Sequence, residues 1–405
     1  MKTTWQTKKL SEVCDIGAGN SAPQKKEYFI DGIYPFFRTA DVGRVKISKS
    51  LNQVSDYLND EGIKKLKLFK KGTILLPKSG ASTFLNHRVV MGVDGYVVSH
   101  LVTIKTDEKI LNNNFLFYFL QEIKAQDLIQ DHKYPSLNLS VIGQIKIPLP
   151  SLSEQLRIVK ILDEVFENIK NAKENTEKNL QNAKELFESY LQSVFANPGE
   201  DWEKTTIGKI CNLMTGGTPS RTKKEYFKDG EINWLVSGDI NKKEIKDCDG
   251  RITELGLKNS NAKYLPINSV MIALNGQGKT RGTVAMLRIK ATCNQSLVSI
   301  YPKDDFKLLP ELIYANLEGR YNELRKLTGD TGNDRRGLNM SIIRNTKFSF
   351  PKSVTEQKSI VLKLDALSTE TKKLEAIYKQ KLADLEELKK SVLKKVFNGD
   401  LQQSV

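Results

Sequence analysis

Histidine and cysteine are scarce in this 405-residue chain. The three histidines, His87, His100 and His132, all lie in the first half with no cysteine beside them, and the four cysteines, Cys14, Cys211, Cys248 and Cys293, show no Cys-x-x-Cys spacing. A disulfide framework or a zinc site needs such clustering, so neither is indicated. No apolar run approaches the roughly 18 residues of a membrane span. Met1 to Leu10 lacks the apolar core of a secretion signal, and the expected compartment is the cytoplasm.

Catalytic signatures are equally thin. Ala273 to Thr280 ends in Gly-Lys-Thr like a phosphate-binding loop, but alanine stands where the first glycine is required, and Arg281-Gly282-Thr283-Val284 is a poor helix start. A phosphate loop must feed a helix N-terminus. Gly17-Ala18-Gly19-Asn20-Ser21-Ala22 imitates a dinucleotide fingerprint, yet Pro23 follows at once and the matching stretch Met214-Thr215-Gly216-Gly217-Thr218-Pro219 lacks the spacing. No Asn/Asp-Pro-Pro-aromatic box for amino methylation is present, nor a nuclease-like cluster of carboxylates and lysine. Asp41 and Asp239 are expected to organise turns.

What the chain does contain is a copy of itself. The first copy opens at Trp5 and carries Cys14, Lys25-Lys26-Glu27-Tyr28-Phe29 and Asp31-Gly32; the second opens at Trp202 and carries Cys211, Lys223-Lys224-Glu225-Tyr226-Phe227 and Asp229-Gly230. Leu137-Asn138-Leu139-Ser140-Val141-Ile142 is answered by Leu338-Asn339-Met340-Ser341-Ile342-Ile343, Glu154-Gln155 by Glu356-Gln357, and Val194-Phe195 by Val396-Phe397. Solenoid repeats run to roughly 20 to 50 residues, so a period of about 200 is a tandem domain duplication. With 39% hydrophobic residues the chain can fill two cores of ordinary size.

The net charge of +15 is unevenly placed. Residues 1–150 hold 21 Lys and Arg against 14 Asp and Glu, and residues 201–350 hold 25 against 17. Residues 151–200 hold 6 against 9, and residues 351–405 hold 11 against 8. The positive excess therefore sits mainly on the repeated globular parts, which suits two modules that bind a polyanion.

Between and after those parts lie two long helical patterns. Ile158, Leu162, Val165, Ile169, Ala172, Thr176, Asn179, Ala183, Leu186 and Tyr190 form a seam with steps of three and four, as do Ile360, Leu364, Leu367, Thr371, Leu374, Tyr378, Lys381, Leu385, Leu388 and Val392. Pro150 and Pro351 precede the helices, and Asn197-Pro198-Gly199 and Asn398-Gly399 stop them. Four segments are expected: a globular unit over 1–150, a helix over 151–197, a second unit over 198–351 and a helix over 352–405. A helix of about 40 residues is a rod roughly 60 Å long, whereas Asn197 to Asp201 reach at most about 18 Å. The second unit then lies at the far end of the first rod, and its own helix buries its seam by running back. The expected architecture is α+β: two tandem similar α+β domains separated by two long helices in an antiparallel coiled coil, a dumbbell with pseudo-two-fold symmetry.

Inside each unit, residues 72–77 and 268–274 read as equivalent strands, as do 97–104 and 293–300, while 113–121 and 309–317 read as equivalent helices. A polar, glycine-containing loop follows the first strand in both copies, and a second polar stretch precedes the Leu-Asn box. These loops differ between copies although their frames match. The candidates for DNA contact are Lys78, Ser79, Ser82, Lys133 and Tyr134 in one unit, and Asn275, Gln277, Lys279, Thr280, Arg281, Asn333, Arg335 and Arg336 in the other. Lys and Arg suit phosphates, while Arg, Asn, Gln, Ser and Thr suit base edges.

An opening Trp, a Gly-x-x-Pro-like turn, Glu-Tyr-Phe with Asp-Gly, a Leu-Asn box, and a Pro followed closely by Glu-Gln, all occurring twice in one order, resemble the specificity subunit of type I restriction-modification systems. The resemblance covers nearly the whole chain. It implies a non-catalytic subunit whose globular units are target recognition domains, each reading half of a bipartite site in double-stranded DNA. It also implies that the helices space the readers and dock two modification subunits carrying S-adenosylmethionine, with motor-nuclease restriction subunits completing the complex. No cofactor is expected in this chain itself. From the residues alone, two other readings stay open: a nucleotide-binding or methyltransferase-type enzyme, and a coiled-coil scaffold for protein or RNA.

Overall fold

Apolar residues at consecutive positions in a strand point to opposite faces, so a strand with no polar alternation needs a core on both sides. Ile74–Pro77 and Val270–Ala273 are such strands, buried at all four positions. The computed structural model describes residues 5–44, 49–129, 131, 133, 135–276, 278–328 and 337–398. In it the chain forms two compact units: Met1–Glu177 with Lys379–Val405, and Lys178–Tyr378.

In the first unit a five-stranded sheet has the order Cys14–Ala18, Leu101–Thr106, Ile74–Pro77, Val89–Met91, Ser50–Leu51, antiparallel except for the last pair. A three-stranded sheet sets Tyr34–Phe37 between Asp56–Leu58 and Tyr96–Val97. Gln6–Lys9 pairs with Lys146–Leu149, which ties the start of the globular part to its end. The second unit repeats this strand for strand. Its five-stranded order is Cys211–Thr215, Leu297–Pro302, Val270–Ala273, Val284–Leu287, Glu244–Ile245. Its other sheets are Arg251–Ile252, Ile232–Leu235, Thr292–Cys293, and Trp202–Thr206 with Lys347–Pro351.

The alternation has the expected result. Ile74 and Leu76 enter a core shared with the helix Asn113–Glu122, whereas Leu75 enters a second core around Phe36, Phe37 and Met91. In the second unit Val270 and Ile272 face the helix Pro310–Gly319, and Met271 and Ala273 face the other way.

The strands expected over 97–104 and 293–300 are each two strands belonging to different sheets. Tyr96–Val97 lies in the three-stranded sheet and Leu101–Thr106 in the five-stranded one. A turn between them is closed by the Leu101 N–H on the Val98 carbonyl, 3.0 Å. In the second unit Asn294 turns the chain, its Oδ1 accepting from the Ser296 N–H at 3.0 Å. The corner falls at polar residues, Ser99 and His100 in one unit and Asn294 to Ser296 in the other, with buried apolar residues on either side.

The repeated motifs have structural reasons. Asp31 and Asp229 take left-handed backbone conformations, with φ of 52° and 55°. The glycine after each is pressed against another strand: a Cβ on Gly32 would lie 2.1 Å from the Tyr57 carbonyl oxygen, and one on Gly230 2.6 Å from the Ile252 carbonyl carbon. Asn138 and Asn339 cap the helices Leu139–Gly143 and Met340–Asn345, accepting from the N–H groups of Ser140 and Ile342 at 3.0 Å.

The long helices span Leu152–Ala196 and Val354–Phe397. Each is fastened to its globular part by a fully buried glutamine. Gln155 accepts from the Asn112 N–H at 2.7 Å and donates to the carbonyls of Ile110 and Pro150 at 3.0 and 2.9 Å. Gln357 accepts from the Leu309 N–H and donates to the carbonyls of Lys307 and Pro351, all at 2.9 Å.

Within the first unit the helices run antiparallel. Ile158 and Leu162 share a core with Leu393 and Val396, and Lys173 pairs with Glu386 at 2.7 Å. Within the second unit Leu191 packs on Leu364 and Ala315, with Phe195 and Ile360 alongside. Of the seam residues, Ile158, Leu162, Thr176, Ala183, Leu364 and Thr371 are buried, and Val165, Ile169, Ala172, Ile360, Leu367, Tyr378, Leu385 and Val392 are half-buried. The seam needs correction at Leu186, Tyr190, Leu374 and Leu388, which are exposed, as are Asn179 and Lys381. From Ala183, which the seam includes, the covered face continues through Phe187 and Leu191 and, on the other helix, through Leu393 and Val396. These ends pack on a globular part as well as on a helix. Steps of four then turn the apolar face away from a strict heptad line.

Replacing Gln155 or Gln357 by Leu removes partners from three backbone groups at the base of a helix. Each change is expected to lower stability by about 1 to 3 kcal/mol, measured by denaturant unfolding. A midpoint and slope equal to those of the parent protein would contradict this.

Candidate nucleic-acid interface

The hairpin joining Ile74–Pro77 to Val89–Met91 carries the first polar loop at its tip, and the hairpin joining Val270–Ala273 to Val284–Leu287 carries the second. The second tip is not a phosphate loop. It leads into a strand, closed by the Gly282 N–H on the Ala273 carbonyl at 2.9 Å and the Ala273 N–H on the Thr283 carbonyl at 3.1 Å.

Two stretches far apart in sequence come together at each tip. In the first unit the Leu137 N–H donates to the Lys78 carbonyl at 2.7 Å, the Gly80 N–H donates to the Pro135 carbonyl at 3.0 Å, and Ser79 bridges to Ser136. In the second unit the Leu338 N–H donates to the Leu274 carbonyl at 3.0 Å, and Gly337 leaves no room for a side chain beside Asn275. The buried leucine of each Leu-Asn box thus anchors the second stretch against the hairpin.

The candidate residues are arranged around these anchors. Lys78 is half-buried, its N–H donating to the His100 carbonyl at 2.8 Å. The Ser79 hydroxyl lies 2.7 Å from His100 Nδ1, and the Ser82 hydroxyl donates to the Ser79 carbonyl at 3.3 Å. Lys133 is exposed, its N–H turned onto Asp131 Oδ1 at 2.8 Å. Asn275 and Lys279 are exposed, Thr280 lies 3.5 Å from the Asn241 amide nitrogen, and Arg281 is half-buried. Tyr134, Gln277, Asn333, Arg335 and Arg336 lie outside the described residues.

Sequence reasoning missed Tyr321 and Arg325, on the helix Tyr321–Lys326, which reach the second tip. It also missed Asn86 and Gln126 beside the first. None carries a motif signal.

Among the described residues, the matched aspartates and the cysteines have structural roles. Asp41 is buried and accepts from the N–H groups of Arg38 and Ser55 and from the Ser55 hydroxyl, while Asp239 accepts from the Val236 N–H at 2.8 Å. Both carboxylates hold turns. Burial pushes the Cys14, Cys211 and Cys293 thiols up to about 12 and raises that of Cys248, which removes the thiolates at neutral pH. Among the described residues no group of His, Cys, Asp and Glu could hold a metal ion, and no helix is long and apolar enough to cross a membrane.

The family model for the type I restriction modification DNA specificity domain matches residues 2–181 and again 199–386. The chain belongs to this family. It is 27% identical over 281 residues to the type I restriction enzyme EcoR124I/EcoR124II specificity subunit of Escherichia coli, covering 67% of each chain. It is 22% identical over 322 residues to the MjaIX specificity subunit of Methanocaldococcus jannaschii, covering 73% of this chain and 72% of that one. Its fold is similar to that of the HsdS subunit from Thermoanaerobacter tengcongensis, with a TM-score of 0.64, 18% identity, and 99% and 98% of the two chains covered. A chain from a solved structure of type I restriction-modification complex assembly aligns with a TM-score of 0.76 at 18% identity, over 98% of both chains.

Lysines on such tips suit phosphates. Lys78→Ala and Lys279→Ala are each expected to weaken binding to all duplex sequences alike and to reduce the slope of log affinity against log salt by about 1. Anisotropy titrations of the complete complex at several salt concentrations measure this. Unchanged slopes in both variants would remove these lysines from the interface.

Proposed function

We propose that this chain is the non-catalytic DNA specificity subunit of a type I restriction-modification complex, with each unit reading one half of a bipartite duplex target. The reading surface in each unit is the hairpin tip together with the polar stretch before the Leu-Asn box. One observation supports this assignment: on the same sheet order the leucine of each Leu-Asn box is hydrogen-bonded beside the hairpin tip, Leu137 N–H to the Lys78 carbonyl and Leu338 N–H to the Leu274 carbonyl, while the tip side chains differ. A shared frame with divergent, basic tips suits two readers of different sequences. Phosphate contacts would set register and base-edge contacts would select sequence.

The long helices space the two readers and dock two modification subunits. Those subunits bring S-adenosylmethionine, and motor-nuclease subunits complete the restriction enzyme. The complex works on DNA in the cytoplasm. The enzyme reading is disfavoured because the Gly-Lys-Thr segment sits in a β-hairpin.

Exchanging residues 1–150 for the equivalent unit of a related specificity subunit is expected to change one half of the methylated motif and leave the other intact. Methylation mapping of DNA modified by the hybrid complex reads this directly. Changes in both halves would overturn the assignment of independent readers.

A further inference from the structure

The second tip contains three glycines with positive φ, Gly276 at 152°, Gly278 at 59° and Gly282 at 83°. Such a backbone has many conformations of similar energy, and ordering it only on contact with DNA would cost both affinity and discrimination. The tip is held by the helix Tyr321–Lys326. Arg325 Nη1 donates to the Gly278 carbonyl at 2.7 Å and reaches the Arg281 carbonyl at 3.4 Å, while the Tyr321 hydroxyl donates to the Lys279 carbonyl at 2.8 Å. Arg325 also donates to the Tyr321 hydroxyl at 3.1 Å, and its guanidinium lies 5.5 Å from the ring centroid. Two side chains that support each other thus hold three successive features of the loop backbone.

The first unit does the same with different chemistry. Its brace is the short turn Ala125–Asp127, which follows the helix Asn113–Glu122 as Tyr321–Lys326 follows Pro310–Gly319. Gln126 donates to the Phe84 carbonyl at 2.9 Å and accepts from the Asn86 amide at 2.9 Å. Asn86, left-handed at φ 54°, accepts in turn from the Ala125 N–H at 2.7 Å. Arg88 bonds the Asn86 and Ile123 carbonyls, and burial lowers its guanidinium to about 10.

We propose that Tyr321 and Arg325 in the second unit, and Gln126 in the first, are positioning residues for base selection, each bracing the reading tip of its own unit. Where the two frames must be alike they keep the same residues, as at Gln155 and Gln357 or Asn138 and Asn339. The braces differ in step with the tips they hold. They act on the tip backbone, so they shape which bases the tip accepts without supplying the contact. The inference rests on the tips being DNA readers.

The test uses the complete complex with its modification subunits and a duplex library carrying every single-base change in both half-sites. The half-sites are assigned to units by the exchange experiment above. Tyr321→Phe keeps the ring and removes the hydroxyl's two hydrogen bonds, to the Lys279 carbonyl and from Arg325; it is expected to lower discrimination in the second unit's half-site roughly three- to tenfold. Discrimination in the other half-site, the salt slope and the melting temperature should not change. Arg325→Lys keeps the charge and is expected to act on the same half-site. Gln126→Met, with Gln126→Ala as a second variant should the first not fold, is expected to act only on the first unit's half-site. Loss of discrimination in both halves together, or none in either while Lys279→Ala weakens binding, would overturn the brace and leave the reader assignment standing. A parent complex that selects no split site, or a silent Lys279→Ala accompanied by silent braces, would overturn the reader assignment and this inference with it.

Discussion

A buried carboxamide at the foot of each long helix governs how that helix leaves its globular part. One acceptor oxygen and two N–H donors meet one backbone N–H and two carbonyls, so every polar atom of the Gln155 and Gln357 carboxamides has a partner. Each joins three places at once: the loop before the main helix of its unit, the proline-ended strand, and the first turn of the long helix. In a dry site an unmet backbone group costs more than a met one gains. The start of the helix is therefore fixed in angle as well as in place, and the packing of Ile158 and Leu162, or of Ile360 and Leu364, follows from that angle.

A second set of ties lies one helical turn or two further along. Lys49 and Tyr118 both bond Asp163, while in the other unit Lys243 pairs with Asp365 at 3.2 Å and the Tyr314 hydroxyl donates to Glu318 at 2.7 Å. The residue types are nearly the same but the wiring differs. Burial raises Glu318 in its carboxyl pKa, as desolvation disfavours its charged form. The frame is thus strict at the glutamine and looser beyond it.

The duplication, the sheet-and-helix character of the units and the long helices could be read from sequence because each leaves a local or periodic trace. The role of the glutamine could not, because its partners lie 43 and 45 residues upstream of Gln155 and 48 and 50 upstream of Gln357. The neighbouring glutamate looked equally informative, yet Glu154 pairs with Arg157 and Glu356 accepts from the Trp202 indole N–H. The corner at Val98 to His100 was hidden because two short apolar runs serving different sheets are separated by only Ser99 and His100, which read as polar positions within one strand. The seam lost its heptad line where helix ends face a globular core, since periodicity alone does not say what a stripe packs against. At the hairpin tips composition marked the loops, but only the sheet order placed the Leu-Asn box beside them.

The strands that carry each tip are pinned by cores on both faces, whereas the tips differ in length: eleven residues separate Pro77 from Val89 and ten separate Ala273 from Val284. An insertion there does not propagate, because strand register is set below it by side chains that cannot slip without turning inside out. The frame therefore behaves as a socket, like the sandwich that carries antibody loops, in which the length and content of the tip can drift while the base keeps its place. Changes in the length or content of a tip are accordingly absorbed at the tip, with the helices and their glutamine joints left unaltered.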